Sequence, residues 1–488
     1  MLTLKEKMST QLTEDELAIY DAHVSIVEDP ALIENTIQLI ESKNVSAEYA
    51  VQAAAHEFMG MLASIDDDYI KSRVKDIDEV TTEIITNLQG NASIQLILEK
   101  PIILVAENIT TNLLSTIDKK MLLGIITADG GATDHTAIIS KAIGIPLITG
   151  IKENLIHISN SSTIVMDAEN GTIHLEPDET TIASFQEKIQ HLNKHKNTHL
   201  ENATKHATTK SGKNIKINAN IGNLEEAKLA AVNGADGIGL LRSELCFLDR
   251  KDLPTEEDHY TLYKEMLDEL PNKEVVIRLL DIGSDKKVSY LDMPIEENPA
   301  LGLRALRLGF NQYEKLLKPQ MRAILRLSAS YKIQLLCPMI ATPEDLEQIR
   351  EAINKEMKIL ISEGIKLNEK IEVGIMVEIP NVAIMPELFI DHADFFSFGT
   401  NDLAQYLMAA DRTNSNVSNY LEKANPAIFK MIEHVTSIAH INGKWVGICG
   451  ELSSQKELIE KFISIGVDEL SMPPSMIPEI KSYIRSLN

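Results

Sequence analysis

Short apolar segments alternate with amphipathic helical segments from residue 209 to the C-terminus. The short segments have the composition of strands, and the longer ones carry helical periodicity. Eight strands with interposed helices in roughly 280 residues predict a TIM (β/α)8 barrel, an α/β fold. An open doubly wound sheet is the alternative, but no G-x-G-x-x-G motif opens one. The predicted strands are Ile215–Ile221, Gly237–Ser243, Val275–Asp281, Ile333–Ile340, Ile371–Glu378, Ala393–Thr400, Lys444–Gly450 and Asp468–Met472.

The part of the chain before the barrel shows three different patterns. Residues 1–90 have helical periodicity with acidic caps, which predicts a small helical domain with an acidic surface. Residues 91–177 alternate short apolar segments with turns, which predicts a small β/α domain. Residues 178–208 are polar and helical, which predicts a linker helix between moving bodies. Three histidines in that helix stand four residues apart, but a solvated helix face explains them better than a metal site: His191, His195 and His199.

Charge and cysteine usage exclude several function classes. The formal net charge of −25 argues against nucleic acid or an anionic membrane as a partner. The cysteines Cys246, Cys337 and Cys449 are far apart and form no C-x-x-C pair, which favours a reducing compartment over a disulfide framework or zinc site. No apolar run is long enough to span a bilayer, and no signal peptide is recognisable. We therefore expect a soluble, cytoplasmic protein without membrane insertion.

A histidine in the predicted β/α domain has the most distinctive surroundings in the chain. Gly130 and Gly131 permit a tight turn and a close approach of the backbone to a ligand. Thr133 and Asp134 are good N-cap residues for the helix that follows. His135 then stands where helix N–H groups favour an anion, and a neutral imidazole is a competent nucleophile. We therefore expect His135 to carry a phosphoryl group, although a chance histidine after a strand and a turn stays open on this stretch alone.

Arginines recur at the carboxyl ends of the predicted barrel strands, where TIM-barrel enzymes place their functional residues. Taken singly, each arginine is explained equally well by a surface position or an ion pair. Four of them converging on one mouth would form a site for a polyanion, because guanidinium is the usual partner of carboxylate and phosphate. The candidates are Arg242, Arg278, Arg304 and Arg412.

Two carboxylates and a cysteine stand at neighbouring strand ends. Glu378 ends the fifth predicted strand, and Asn401 and Asp402 follow the sixth. A sparse carboxylate pair is what Mg²⁺ prefers when substrate oxygens and waters complete its octahedron. Pairing of both carboxylates with the arginines is the alternative. Cys449 ends the seventh strand, where a free cysteine is either a packing residue or a candidate general acid.

Five motifs occur in order along nearly the whole chain: Gly130-Gly131-x-Thr133-x-His135, Gly239-Leu240-x-Arg242-x-Glu244, Val377-Glu378-x-Pro380, Gly399-Thr400-Asn401-Asp402-Leu403-x-Gln405-Tyr406 and Cys449-Gly450-Glu451. In this combination the chain resembles phosphoenolpyruvate–protein phosphotransferase, enzyme I of the bacterial sugar phosphotransferase system. The resemblance implies a helical carrier-binding domain, a swivelling phosphohistidine domain and a barrel that binds phosphoenolpyruvate.

The resemblance also implies roles for individual residues. His135 is the residue that is phosphorylated, Asn401 contacts the phosphate of phosphoenolpyruvate, and Arg304 adds positive charge nearby. Glu378 and Asp402 hold Mg²⁺, and Cys449 protonates the enolate of departing pyruvate. The substrate-binding set that the resemblance implies is Arg242, Arg278, Arg304, Asn401, Asp402 and Arg412.

Two partners follow from the same resemblance. The family forms a homodimer through the barrel, and it passes the phosphoryl group to the small carrier HPr, which docks on the helical domain. The acidic residues that we expect to contact the carrier are Glu14, Asp21, Glu28 and Asp29.

The chain departs from the family pattern in several places, among them an early C-terminal end and a loop aspartate, Asp129, that stands one position later than in the family. It begins inside the helical domain, so the usual N-terminal strand with its Ser-Pro-Gly turn is expected to be missing. Ala132 and Asp134 stand where the family commonly has arginine and serine, and a carboxylate beside a phosphorylated imidazole repels its oxygens. One alternative is therefore a truncated regulatory paralogue that binds phosphoenolpyruvate or carrier with little turnover. A relative of pyruvate-phosphate dikinase or phosphoenolpyruvate synthase is another, but the chain has no room for a nucleotide-binding domain.

Overall fold

The structure is a computed structural model, and the chain divides into two compact units, Met1–Gln190 and His191–Asn488. None of the helices in the described part of the chain has both the length and the apolar character that a membrane crossing needs. The described residues are 24, 26–63, parts of the stretch 77–140 (continuous over 100–107 and 117–128), and 144–488 without 248–249, 251, 284–287, 289, 292, 295, 413 and 415–416.

Two helices of the first unit pack against each other, α1 (Pro30–Lys43) and α2 (Ala47–Ala63). Asp29 is the N-cap of α1, because its carboxylate accepts hydrogen bonds from the backbone N–H groups of Ala31 and Leu32 at 2.8 and 3.2 Å. Asn44 ends α1 in the left-handed conformation with φ 52°. The helical prediction is confirmed for these residues.

Two small sheets follow in the same unit. The strands β1 (Ile102–Ala106), β2 (Leu122–Thr127) and β3 (Leu147–Ile148) form a parallel sheet in that order. The strands β4 (Ile164–Asp167) and β5 (Thr172–Leu175) form an antiparallel pair. The alternation of apolar segments and turns in this region therefore predicted strands correctly.

The predicted linker is a long helix, α3 (Glu179–Glu201), and the division between the two units falls within it. Asp178 accepts a hydrogen bond from the backbone N–H of Thr181 at 2.8 Å and so satisfies a free donor of the first turn. After the helix, the short strand β6 (Ala207–Thr208) pairs antiparallel with the first barrel strand.

In the described part of the second unit, eight parallel strands close into a barrel, because the last strand pairs in parallel with the first. The predicted TIM barrel is confirmed, and each of the eight predicted strands overlaps an observed one. The strands are β7 (Asn214–Ile221), β8 (Ile238–Leu241), β9 (Glu274–Arg278), β10 (Lys332–Cys337), β11 (Glu372–Val377), β12 (Phe395–Phe398), β13 (Trp445–Ile448) and β14 (Glu469–Met472).

Helices surround the barrel, and alternate side chains of each strand face either the helices or the interior. Along β13, Val446 and Ile448 belong to the large core between strands and helices, whereas Trp445 and Cys449 belong to a separate cluster inside the barrel. The helices of this unit are α4 (Leu224–Val232), α5 (Glu256–Asp268), α6 (Ala305–Asn311), α7 (Leu317–Leu327), α8 (Pro343–Ser362), α9 (Pro380–Ile384), α10 (Thr400–Met408), α11 (Asn425–Ile441), α12 (Lys456–Ile465) and α13 (Ile477–Ser486).

One acidic side chain of the barrel wall is buried where the first and last strands meet. Glu469 on β14 stands opposite Lys216 on β7 and is only 5% exposed. Burial raises the pKa of the Glu469 carboxyl to about 7, although the charge of Lys216 and a hydrogen bond from Asn218 lower it. The folded barrel therefore holds a proton here at pH values where the unfolded chain has lost it.

We expect Glu469→Gln to change how barrel stability depends on pH. As pH rises from about 4.5 to about 7, unfolding releases the Glu469 proton, so the wild-type free energy of unfolding falls by up to about 1.4 kcal/mol per pH unit. The glutamine variant lacks this loss, so its stability relative to wild type should rise over that window and level off above it. Urea unfolding between pH 5 and 8 measures the difference, with the exposed Glu351→Gln as control. Parallel curves for wild type and Glu469→Gln would contradict the assignment.

Candidate active site

The barrel brings six of the predicted site residues to one face. Parallel barrel strands all end on the same face, so side chains that follow them surround a common mouth. The six are Arg242 after β8, Arg278 at the end of β9, Glu378 after β11, Asn401 and Asp402 in the first turn of α10 after β12, and Cys449 after β13.

Alternating charges link these strand ends, beginning at β9. Arg278 donates from Nη2 to the carboxylate of Glu244, and its Nη1 lies 2.9 Å from Oδ2 of Asp281. Asp281 in turn holds Arg304, whose Nη2 lies 3.0 Å from Oδ1. One buried aspartate therefore bridges two guanidinium groups.

The alternation continues to α10 through a second bridging aspartate. Nη1 of Arg304 lies 3.1 Å from Oδ1 of Asp402 and donates to the Tyr406 hydroxyl at 3.0 Å. Nη1 of Arg412 lies 3.5 Å from Oδ2 of the same aspartate. We call these six residues the charge ladder: Glu244, Arg278, Asp281, Arg304, Asp402 and Arg412.

Because the charge ladder is buried, each of its charges is stable only when it is paired with an opposite charge. Arg304 is 1% exposed and Arg278 is 7% exposed. Burial alone lowers the pKa of each guanidinium, but the facing carboxylates outweigh it and the net pKa of both is raised, so both stay charged. A charge this deep is tolerated only when it is paired, so loss of one member leaves its neighbours uncompensated.

Glu378 lies beside the ladder and is almost fully buried. Its Oε1 accepts a hydrogen bond from the backbone N–H of Met339 at 2.6 Å. Burial, together with the nearby charges of Asp402 and Asp281, raises the pKa of the Glu378 carboxyl well above its usual range.

The donors around Glu378 suit a hard divalent cation. The described residues contain no group of three or more His, Cys, Asp or Glu side chains arranged around a metal position. The two carboxylates that the family resemblance implies as ligands are Glu378 and Asp402, and Asp402 is one of the charges that act on Glu378. Buried carboxylates that repel one another are relieved by a cation, and oxygen ligands suit Mg²⁺. The residues present therefore fit Mg²⁺ with substrate and water oxygens as its remaining ligands.

Arg242 stands at the edge of the mouth and is more exposed than the ladder arginines. Its Nη2 donates to both carboxylate oxygens of Glu226 at 3.1 and 3.2 Å. Glu226 lies in the first turn of α4 and also accepts from the backbone N–H of Gly222 at 2.6 Å. The carboxylate therefore fixes this arginine to the end of β7.

Cys449 is 5% exposed and lies in the cluster inside the barrel. Its Sγ donates to the carbonyl oxygen of Phe398 at 3.5 Å. Burial raises the pKa of the Cys449 thiol to about 11. The residue therefore remains a protonated thiol near neutral pH, which is the state that a proton donor needs.

Several residues that hold the site are not singled out by the sequence. Asp281 follows the strand-end Arg278 by three positions, and that spacing is its signal in the sequence. Glu244 ends one of the family motifs but received no role there. Tyr406 lies inside one of the family motifs without a role of its own. Glu226 on α4 carries no signal, because its proximity to Arg242 arises only when β7 and β8 lie side by side.

The structure describes only some of the predicted site residues of the first unit. His135 lies outside the described residues, as do Glu14 and Asp21. Glu28 is exposed, and the carboxylate of Asp29 is used as the cap of α1.

Three protein-family descriptions match successive parts of the chain. Residues 1–73 match the N-terminal domain of PEP-utilising enzymes, where PEP is phosphoenolpyruvate. Residues 98–171 match the mobile domain of the same enzymes. Residues 196–488 match their PEP-binding domain, which contains the barrel mouth described above.

Individual relatives match over almost the whole chain. A phosphoenolpyruvate-protein phosphotransferase of Priestia megaterium is 36% identical over 486 residues, covering 99% of this chain and 85% of that protein. One of Staphylococcus carnosus is 36% identical over 489 residues, with the same two coverages. Among solved structures, an Enzyme I solution structure is 29% identical and covers 39% of this chain and 77% of its own, at a TM-score of 0.34. On the family descriptions and these relatives, the chain belongs to the phosphoenolpyruvate-protein phosphotransferase family of PEP-utilising enzymes.

Proposed function

We propose that this protein transfers the phosphoryl group of phosphoenolpyruvate to His135 and then to a histidine of the carrier HPr, releasing pyruvate as the first step of the bacterial sugar phosphotransferase system. The charge ladder is the observation that carries the proposal. It holds three guanidinium groups in fixed positions at the mouth of the barrel. Phosphoenolpyruvate carries a carboxylate and a phosphate, and guanidinium groups recognise both.

In the proposed transfer, an imidazole nitrogen of His135 attacks phosphorus. The N–P bond forms as the bond from phosphorus to the enol oxygen breaks, and that oxygen keeps the electron pair. Arg242, Arg278 and Arg412 offset negative charge on the transferring group, which is the main protein contribution in phosphoryl transfer. Mg²⁺, held by Glu378 and Asp402, would supply further neutralisation of the phosphate oxygens.

The leaving group in this scheme is the enolate of pyruvate. Cys449 donates its thiol proton to the methylene carbon, which yields the keto form of pyruvate and leaves a thiolate. The keto form is much more stable than the enolate, so this proton transfer draws the reaction forward. The raised thiol pKa of about 11 keeps the proton available until the enolate forms.

The proposed function also assigns a role to each domain, an oligomeric state and a cellular compartment. We assign carrier binding to residues 1–90, with Glu14, Asp21, Glu28 and Asp29 as contacts, and the phosphohistidine domain to residues 91–177. Movement of that domain between the barrel and the carrier uses the linker 178–208. The protein acts in the cytoplasm as a homodimer formed through the barrel, residues 209–488.

Incubation with phosphoenolpyruvate labelled in its phosphate, in the presence of Mg²⁺, should label the protein. His135→Ala should abolish the label, because it removes the nucleophile. The exposed His157→Ala is the matched control and should label normally. A chelator of divalent cations should also prevent labelling. Wild-type protein that binds phosphoenolpyruvate but stays unlabelled would favour a regulatory binding protein instead.

Arg304→Met should weaken both the barrel and its binding of phosphoenolpyruvate. The change leaves the carboxylates of Asp281 and Asp402 buried without their shared partner, so we expect a loss of about 3–5 kcal/mol in the free energy of unfolding. Arg307→Met, an exposed position three residues later, should change stability by less than about 0.5 kcal/mol. Urea unfolding and calorimetric titration with phosphoenolpyruvate measure the two effects. Equal behaviour of the two variants would remove Arg304 from the proposed site.

Cys449→Ala should slow pyruvate formation by about 10² or more, because the enolate loses its proton donor. Wild type should show no thiol inflection between pH 6 and 9, since the pKa of Cys449 is raised to about 11. Coupled assay of pyruvate with HPr as acceptor measures both. Cys246→Ala removes another buried thiol of the barrel and should leave the rate within about twofold. A Cys449→Ala rate close to wild type would assign the proton to a different group.

A further inference from the structure

Asn401 makes a two-point contact with Glu451, a residue outside the charge ladder. Its side-chain Nδ2 donates to Oε1 of Glu451 at 3.0 Å. The backbone N–H of Glu451 donates back to Oδ1 of the same amide at 3.3 Å. The two bonds together determine both the rotation of the amide and which of its ends faces Glu451.

Glu451 lies two residues after Cys449, so the contact also joins two parts of the proposed site. The backbone N–H groups of Cys449 and Gly450 both donate to the carbonyl oxygen of Phe398, at 3.1 and 3.3 Å. A Cβ on Gly450 would lie 2.0 Å from Oγ1 of Thr400, so only glycine lets this turn lie directly against the start of α10. The contact between Asn401 and Glu451 joins the same two segments, the start of α10 and the turn after β13, on the side exposed to solvent.

Among the described residues, the contact with Glu451 uses one donor position of the amide, and the other has no partner. An amide nitrogen carries two N–H bonds, and the one aimed at Glu451 is used. The second N–H is then held in a fixed direction instead of rotating with the side chain. A group that is oriented before substrate arrives loses less freedom on binding.

We propose that Glu451 is a positioning residue that orients the Asn401 amide toward the phosphate of phosphoenolpyruvate and ties it to the turn that carries Cys449. The inference rests on the proposed function, and it takes the contact of Asn401 with the phosphate from the family resemblance. The hydrogen-bond acceptor is what the role requires. The negative charge is not needed and lies close to an anionic substrate, so the neutral amide of glutamine fulfils the same role.

Single-turnover labelling with phosphoenolpyruvate over a range of concentrations tests the inference without the carrier. For Glu451→Ala, we expect the ratio of limiting rate to half-saturating concentration to fall about tenfold. Glu451→Gln should stay within about twofold of wild type, because its side-chain oxygen still accepts from Nδ2. In an Asn401→Ala background, Glu451→Ala should add less than about twofold, since its effect passes through that amide.

Controls separate positioning from a general effect on the fold. Glu433→Ala changes an exposed glutamate of α11 and should label at the wild-type rate. Thermal unfolding of each variant reports loss of structure. Glu451→Ala and Glu451→Gln should unfold at the same temperature as wild type, so that the difference between their labelling rates reflects positioning of the amide.

The outcomes distinguish this inference from the function on which it rests. Wild-type protein that takes no label overturns the proposed function and this inference with it. If wild type labels normally, three results would overturn the inference while leaving the proposed function intact. They are an unimpaired Glu451→Ala, a Glu451→Gln as impaired as Glu451→Ala, and single effects that multiply in the double variant.

Discussion

The structure of the barrel mouth depends on two aspartates that each bridge two arginines. Asp281 joins Arg278 to Arg304, and Asp402 joins Arg304 to Arg412. Because Arg304 is almost fully buried, its charge is stable there only while both carboxylates face it. The arginines are thus held in place by the protein before any anion arrives, which is the condition under which electrostatic stabilisation is most effective.

The same constraint determines what else the mouth accommodates. Burial raises the pKa of the Glu378 carboxyl, and the negative charges of Asp402 and Asp281, the two aspartates that hold the arginines, raise it further. In the proposed function, a hard cation held by Glu378 and Asp402 would relieve that repulsion. Cys449 faces the barrel interior beside this charged layer, where burial keeps its thiol protonated. The arginines, the two carboxylates proposed as metal ligands and the thiol proposed as proton donor therefore lie on one face, at one set of strand ends.

Much of the fold is predictable because its signals are local. Each barrel strand is a short apolar segment between helical segments, so the eight strands could be recognised one at a time. The site residues that follow them, Arg278, Glu378 and Cys449, were predictable for a related reason. In a TIM barrel, position at a strand end already assigns a residue to the mouth.

What the sequence alone determined is therefore the order of strands and helices, the family, and that the arginines reach the mouth together with Glu378 and Asp402. Tertiary structure decided how those groups are paired. The pairing of Arg242 with Glu226 depends on how β7 and β8 lie side by side. The pairing of Arg304 with Asp402, 98 residues away, depends on how the barrel brings distant segments together. Periodicity along the chain carries no information about such contacts, because they form only when strands from separate segments lie side by side.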